Sequence, residues 1–335
     1  MQLKPNSVSV ALDDALTCIS GDFPLTQLHV SGITHDNRKV EPGFTFVAIP
    51  GFKIHGSTFA EDAVKRGAVA VLTDGVGAQH LEHLAVPVIV SANPRSDMAL
   101  LAREIYGDAQ SQLVSVGITG TNGKTTTAHM VELVLREHGF NPLLLGTVGI
   151  RFNDLYQPSE RTTPEATDLH SLLLAARQQG AKSFVMEVSS IALVLGRVDA
   201  VKFQVAVFTG LSQDHLDFHH TMENYFEAKS QLFTPERAQH AVICVDDEWG
   251  KKLASMTQLP RLTYSTTGPA DWTAHDVSMG NDGRVTFVAQ GPAKQVAVEL
   301  PLPGMFNVAN ALAAIATADL LAPVSYTHLT LPTKA

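Results

Sequence analysis

Gly120-Thr121-Asn122-Gly123-Lys124-Thr125-Thr126-Thr127 stands between an apolar run at 113–118 and a helical pattern over 127–138 that Gly139 stops. Strand, tight loop, helix is the order of a loop built to hold a triphosphate. Two glycines let the backbone turn its N–H groups inward, Lys124 can reach terminal phosphates, and Thr125 offers a hydroxyl to Mg²⁺ at a helix N-terminus. The common form of this loop has a glycine five positions before the Gly-Lys pair. Ile118 stands there instead, and the nearest glycines are Gly117 and Gly120, so the loop is a tighter variant.

Reading outward, apolar strand-like runs recur at 184–188, 205–209 and 241–245, with helical stretches between several of them. Such alternation predicts a mostly parallel, doubly wound sheet, with ligands gathered at the carboxyl ends of its strands. Upstream, Phe44-Thr45-Phe46-Val47-Ala48-Ile49 and Ala68-Val69-Ala70-Val71-Leu72 alternate with Gly/Pro turns and a helical stretch at 59–66, which predicts a small α/β unit. A second helical stretch, 97–106, ends at the polar segment 107–111, read as a linker. The expected division is therefore residues 1–112, then 113–322, with a tail at 323–335.

The bulk numbers are those of a globular chain. With 335 residues, 45% hydrophobic and 17% charged, there is ample core for two domains. A net charge of −9 argues against a broad nucleic-acid surface. Two cysteines cannot make a disulfide framework, no apolar run is as long as a membrane span, and the first residues carry no leader pattern. A reducing cytoplasm and no membrane insertion are the expectations.

Three further places carry chemistry. Glu187 ends an apolar strand run beside Ser189-Ser190, as a Mg²⁺ ligand or water-orienting acid, or else as a cap for the following helix. Gln213-Asp214-His215-Leu216-Asp217-Phe218-His219-His220 follows another strand; its spacing fits no closed zinc set, and Mg²⁺ through His215 is the favoured reading. Lys229 lies inside an apolar helical stripe of Tyr225, Phe226, Leu232 and Phe233. Either its stem snorkels to water, or desolvation leaves a neutral amine able to take up CO₂ as a carbamate, an acid that could bind a second Mg²⁺. Thr163, Pro164 and Glu165 read as a helix start: N-cap, first position and first-turn acid. Asn307 and Asn310, near the start of a helical run at 311–321, could read a purine edge or simply open the helix.

Taken in order, these segments resemble the Mur ligase family. The resemblance runs from about residue 30 to 321 through Asp36-Asn37-Arg38 with Pro42-Gly43, the 120–127 loop, Thr162-Thr163-Pro164, Glu187-Val188-Ser189-Ser190, Asp214-His215-Leu216-Asp217, Ala228-Lys229, and Phe306-Asn307 to Asn310. It implies an N-terminal UDP-binding domain, a central P-loop ATPase domain, and a C-terminal Rossmann-like domain that is missing here. It also implies ATP-dependent amide-bond formation, most like the member that adds diaminopimelate or lysine to the D-glutamate γ-carboxylate of UDP-N-acetylmuramoyl-L-alanyl-D-glutamate. By the same resemblance, ATP lies on Gly120 to Thr126 with Asn307 and Asn310. One Mg²⁺ would fall to Thr125 and Glu187, and another to His215 and carbamylated Lys229. Lys124, Lys229 and His215 would be the catalytic set. Asp36, Asn37 and Arg38 would meet UDP, and Thr162, Thr163, Ser189 and Arg197 the muramoyl peptide. The partners implied are that UDP-dipeptide and an amino acid, acting on a monomer.

Four positions depart from the family pattern: Asn37 for serine, His55 for aspartate, Ile191 for histidine and Gly210 for asparagine. After Leu321 the sequence matches nothing in the family, so a truncated ligase with an adventitious tail is expected. The alternatives are the D-alanyl-D-alanine-adding relative, folylpolyglutamate synthase, or a nucleotide-binding module without catalysis.

Overall fold

The parallel pairing of Ser183–Glu187 and Phe203–Phe208 on either side of Val114–Thr119 sets the architecture of the larger unit. All three strands are buried along nearly their whole length, which is how parallel strands covered on both faces read. The computed structural model describes residues 3–21, 23, 27–51, 53–321 and the backbone of 328–330. Residues 322–327 and 331–335, most of the tail set apart from the sequence, lie outside the described residues.

Packing divides the chain into two units: 1–112 with 164–179 and 195–200, and 113–163 with 180–194 and 201–335. Two segments that chain order assigns to the central domain thus pack with the first unit. The reason is Ala166–Gln178, whose buried residues Leu169, Leu172, Leu173 and Ala176 give it an apolar face that meets the helix Pro94–Ile105.

The first unit holds a four-stranded parallel sheet ordered Gly32–Thr34, Phe44–Ala48, Ala70–Thr73, Val88–Val90. Pro94–Ile105 starts three residues before its expected position, because Asn93 caps it through Ser96 N–H and Pro94 fills the first turn. The stretch expected to be a linker instead forms a 3₁₀ turn, Ala109–Gln112, with Ala109 and Gln110 buried.

Within this unit His170 is 2% exposed, and burial, reinforced by the Arg103 charge, pulls its pKa from 6.5 down to about 3. Unfolding releases an imidazole that binds a proton which the folded state refuses. Stability is therefore intact above pH 6.5 and drains away as pH falls toward 3. Between pH 7 and pH 5 the loss from this residue is about 2 kcal/mol. Urea titrations of the native chain and of His170→Asn should differ by that amount in their pH dependence; parallel profiles would refute it.

The larger unit carries, among the described residues, a twelve-stranded sheet. From edge to edge it runs Leu155–Gln157, Gly149–Phe152, Pro142–Gly146, Ser183–Glu187, Val114–Thr119, Phe203–Phe208, Ala238–Cys244, Arg261–Ser265, Trp272–Met279, Val285–Gln290, Gln295–Leu300 and His328–Thr330. Strands from Pro142–Gly146 through Trp272–Met279 pair in parallel, and antiparallel hairpins extend both sides. The chain leaves Val114–Thr119 for one side of the sheet and returns to cross to the other, so the sheet's switch point lies at that strand's carboxyl end. Met305–Leu321 begins six residues before its expected start and is apolar around most of its circumference, with Val308, Leu312 and Ile315 unexposed, so it is a core helix. It packs on Lys124–Glu137, the helix that follows the loop.

Candidate functional site

The loop after Val114–Thr119 closes at Gly123, whose φ of +84° precedes the helix Lys124–Glu137. The helix begins three residues before the expected Thr127, so Lys124, Thr125 and Thr126 form its first turn. Thr127 N–H already bonds Gly123 O at 2.9 Å, leaving the earlier N–H groups facing the loop. Thr121 to Thr126, Thr147 and Glu187 line a cleft of about 170 Å³.

A neighbouring turn, 209–212, braces this loop from one side. Thr121 N–H donates to Gly210 O at 2.9 Å, Ser212 N–H to Thr121 Oγ1 at 3.0 Å, and Thr209 Oγ1 to Asn122 O at 2.5 Å. The turn is itself pinned by Leu211 N–H on Asp247 Oδ2, 2.9 Å away. Gly210, where the family carries asparagine, adopts φ +114°, a conformation that suits glycine.

Lys124 folds back onto the loop and donates to Gly120 O at 3.0 Å and Thr121 O at 2.8 Å. Burial lowers its pKa, opposed by the carboxylates of Glu187 and Asp214. Glu187, 2% exposed at the end of Ser183–Glu187, accepts from Thr125 Oγ1 at 2.9 Å, from Thr147 N at 2.9 Å and from Thr147 Oγ1 at 3.1 Å. It does not cap the following helix; Ser189 does, its Oγ accepting from Ala192 N–H at 3.1 Å.

Thr163 is not a helix cap. Ala166–Gln178 starts three residues later, and Thr163, fully buried, donates to Glu187 O at 2.9 Å and accepts from Ser189 N–H at 3.0 Å. It staples the turn after Glu187. Thr162 sits outside it, its hydroxyl 3.1 Å from that of Thr147. Thr147 carried no signal in its own residue type; the clue was its place, just after a strand that neighbours the one ending in Glu187.

Lys229 does not snorkel. It is 1% exposed, with Nζ 2.8 Å from Gly120 O, 3.4 Å from Thr119 Oγ1 and 4.7 Å from the Tyr225 ring centroid. Burial, and then the Lys124 charge, holds its pKa well below the lysine value. His215, at φ +51° before the short helix Leu216–His219, is exposed and meets Tyr225 edge to face, ring centroids 6.1 Å apart. Among the described residues no group of three His, Cys, Asp or Glu stands poised for a metal. His219, by contrast, is buried with Nε2 2.9 Å from Ser190 Oγ. Ile191 follows that serine within the helix Ser190–Val194.

Asn310 Oδ1 accepts from Thr127 Oγ1 at 3.2 Å, and Asn310 Nδ2 donates to Asn307 Oδ1 at 3.2 Å. Asn307 in turn donates to Pro303 O at 2.8 Å. A Cβ on Gly123 would lie 2.5 Å from Asn310 Oδ1, so the amide lies directly against the loop.

In the first unit, Asp36 caps the turn Asn37–Lys39 and grips Arg38 through Nε at 2.9 Å and Nη2 at 2.7 Å. The hydrogen bonds from Arg38 pull the Asp36 carboxyl down to about 2. Asn37 Nδ2 donates to Asp62 Oδ2 at 2.8 Å. His55 caps Gly56–Phe59, its Nδ1 accepting from Ser57 N–H at 3.1 Å, while Nε2 faces Asp74 at 3.2 Å. Arg197 Nε lies 2.8 Å from buried Glu165, which Arg95 also approaches at 3.5 Å.

The donor set fits the groups implied for it. Hard oxygens from a threonine hydroxyl and a buried carboxylate suit Mg²⁺, and a first helical turn with inward N–H groups suits phosphate. Lys229 as an amine offers no anionic oxygen, so a metal there requires the carbamate.

Comparison with known proteins agrees with this geometry. Residues 118–318 match the Mur ligase middle domain and residues 29–106 the Mur ligase family catalytic domain. A UDP-N-acetylmuramoyl-L-alanyl-D-glutamate–2,6-diaminopimelate ligase of Streptomyces coelicolor is 50% identical over 289 residues, 85% of this chain and 57% of that protein. The Corynebacterium efficiens protein of the same name is 40% identical over 322 residues, 93% of this chain and 61% of its own length. A solved structure of a diaminopimelate ligase of that name superposes with a TM-score of 0.81 at 31% identity, over 93% of this chain and 63% of that one. MurF from Acinetobacter baumannii, at 20% identity and TM-score 0.69 over 94% of this chain and 66% of its own, shares the fold. The chain spans about three fifths of the length of the curated relatives it matches.

Proposed function

The chain belongs to the Mur ligase family, and from that premise we propose that it serves ATP-dependent amide-bond formation on UDP-N-acetylmuramoyl-L-alanyl-D-glutamate, with diaminopimelate as the amine. The observation that carries the reading is the meeting of Lys124, Thr125 and Glu187 in one cleft at the sheet's switch point.

The reaction transfers the γ-phosphoryl group of ATP to the D-glutamate γ-carboxylate, releasing ADP. The amino-acid amine then attacks the acyl carbon, phosphate leaves, and the amine loses a proton. Lys124, released from its two loop carbonyls, would neutralise charge on the transferring group, and the loop N–H groups would hold the phosphates. Mg²⁺, when bound, would supply charge neutralisation to the phosphates; Thr125 and Glu187 would hold one ion, and His215 with carbamylated Lys229 a second. Thr162, Ser189 and Arg197 would meet the muramoyl peptide and Asp36 to Arg38 the uridine diphosphate. Thr163, its hydroxyl committed on both sides, acts by shaping the turn. Asn310 braces the helix that follows the loop through Thr127, and with Asn307 would stand on the adenine side. The protein works as a cytoplasmic monomer in this reading; no helix among the described residues is long and apolar enough to cross a membrane.

The test is phosphate release by the 335-residue chain with ATP, Mg²⁺ and the UDP-dipeptide, with diaminopimelate or lysine as the amine. Release that requires the dipeptide, and tripeptide product with diaminopimelate, is expected. ATP binding with no dipeptide-dependent release would leave a nucleotide-binding module.

A further inference from the structure

We infer that Thr147 is a positioning residue that fixes the Glu187 carboxylate as a seat for a divalent cation. Glu187 is a buried acid that forms no ion pair among the described residues; its partners are three neutral donors, Thr125 O–H, Thr147 N–H and Thr147 O–H. A buried carboxylate without a counter-charge is costly unless something positive completes it. The cation whose charge reaches it, Lys124, has its ammonium turned onto Gly120 O and Thr121 O. The carboxylate faces the cleft that the phosphate loop lines.

The two threonines differ in what happens when a cation arrives. Thr125 must turn a lone pair toward the ion, and its proton then leaves Glu187. Thr147 has no such second task. Its N–H holds Oε1 and its O–H holds Oε2, so it grips both oxygens and keeps the carboxylate in place after Thr125 lets go. Gly146 makes this approach possible, since a Cβ there would run into Glu187 Oε1. With its proton on Glu187, the Thr147 hydroxyl can only accept from Thr162, which ties the seat to the residue proposed to meet the peptide.

The inference deepens the Proposed function, resting on it only for the phosphate ligands that complete the ion's shell. Mn²⁺ binding to the full chain, followed by electron paramagnetic resonance with and without ATP, tests it. Thr147→Val should weaken Mn²⁺ about tenfold, clearly more than it weakens metal-free ATP binding, and Thr147→Ser should restore the native Mn²⁺ affinity. Native Mn²⁺ affinity in Thr147→Val, equal losses with and without metal, or no Mn²⁺ held by the native chain in either condition would overturn it. A native chain that holds Mn²⁺ but no ATP would remove the nucleotide reading and leave this one standing.

Discussion

Lys229→Met should raise the thermal midpoint of the larger unit while removing the catalytic contribution proposed for this residue. Lys229 and Lys124 both donate to Gly120 O, at 2.8 and 3.0 Å, so two lysine nitrogens converge on one carbonyl in a buried place, where a proton on both is disfavoured. Burial and Lys124 both depress the Lys229 pKa, which means that the unfolded chain binds a proton the folded chain resists. The penalty is absent above the unfolded value and grows as pH falls toward the folded one, so stability from this residue rises with pH. Methionine fills the same length without the charge, and Gly120 O keeps Lys124 as its donor. Replacing a buried charge by an apolar residue of similar volume typically stabilises by about 1–4 kcal/mol, or roughly 2–4 °C per kcal/mol for a unit of this size. In CO₂-free buffer at pH 7 the variant should melt higher, and the gap should narrow toward pH 10. In ¹³C-bicarbonate the native chain should show a carbamate carbon that the variant lacks, with turnover about 10³-fold lower. A variant that melts lower, or a native chain without that carbon signal, would mean that Lys229 is a structural cation.

The same residue shows what sequence can carry. An apolar stripe with one lysine in it was visible at helical spacing, and the structure keeps that stripe, buried, across Met222–Ser230 and the following turn. The loop and the acid at a strand's end were equally visible, because both depend on local order: strand, glycine, lysine, helix. Where the expectation failed, a distant partner had overruled a local preference. Thr163 precedes a proline and an acid, a good helix start in isolation, but Glu187 O and Ser189 N–H claim its hydroxyl. Lys124 to Thr126 have no apolar periodicity, so the pattern alone places the helix start too late; Gly123 in the left-handed region starts it. Thr147 takes its meaning from the neighbouring strand, not from its own segment, so only its place after a strand hints at it. The antiparallel extension from Trp272 to Leu300 lies outside the sequence expectation, and nothing in Ala166–Gln178 marks it for the first unit, since partner choice across the chain leaves no local mark.

Gly120→Ala should be among the most damaging single-methyl additions in the chain, costing roughly 2–6 kcal/mol and about 100-fold in ATP affinity. At φ +152° an alanine is strained wherever it sits, and here the new Cβ would also run into Thr209 Oγ1 and lie 3.0 Å from Gly210 O. Neither neighbour can retreat cheaply. Thr209 is β-branched and holds Asn122 O at 2.5 Å, while Gly210 O receives Thr121 N–H at 2.9 Å in a turn pinned by Asp247. Relief therefore requires moving the brace, and with it the N–H groups that would face phosphate. Gly139→Ala separates the two causes: its φ is +75°, but a Cβ there meets nothing within 4 Å, so it should cost only about 1 kcal/mol and leave nucleotide binding intact. Chemical denaturation and ATP titration of the two variants side by side would decide between strain alone and strain with collision. If Gly120→Ala proved as mild as Gly139→Ala, the 209–212 turn would have to be yielding rather than bracing, and the shifted glycine of this loop would have no steric origin.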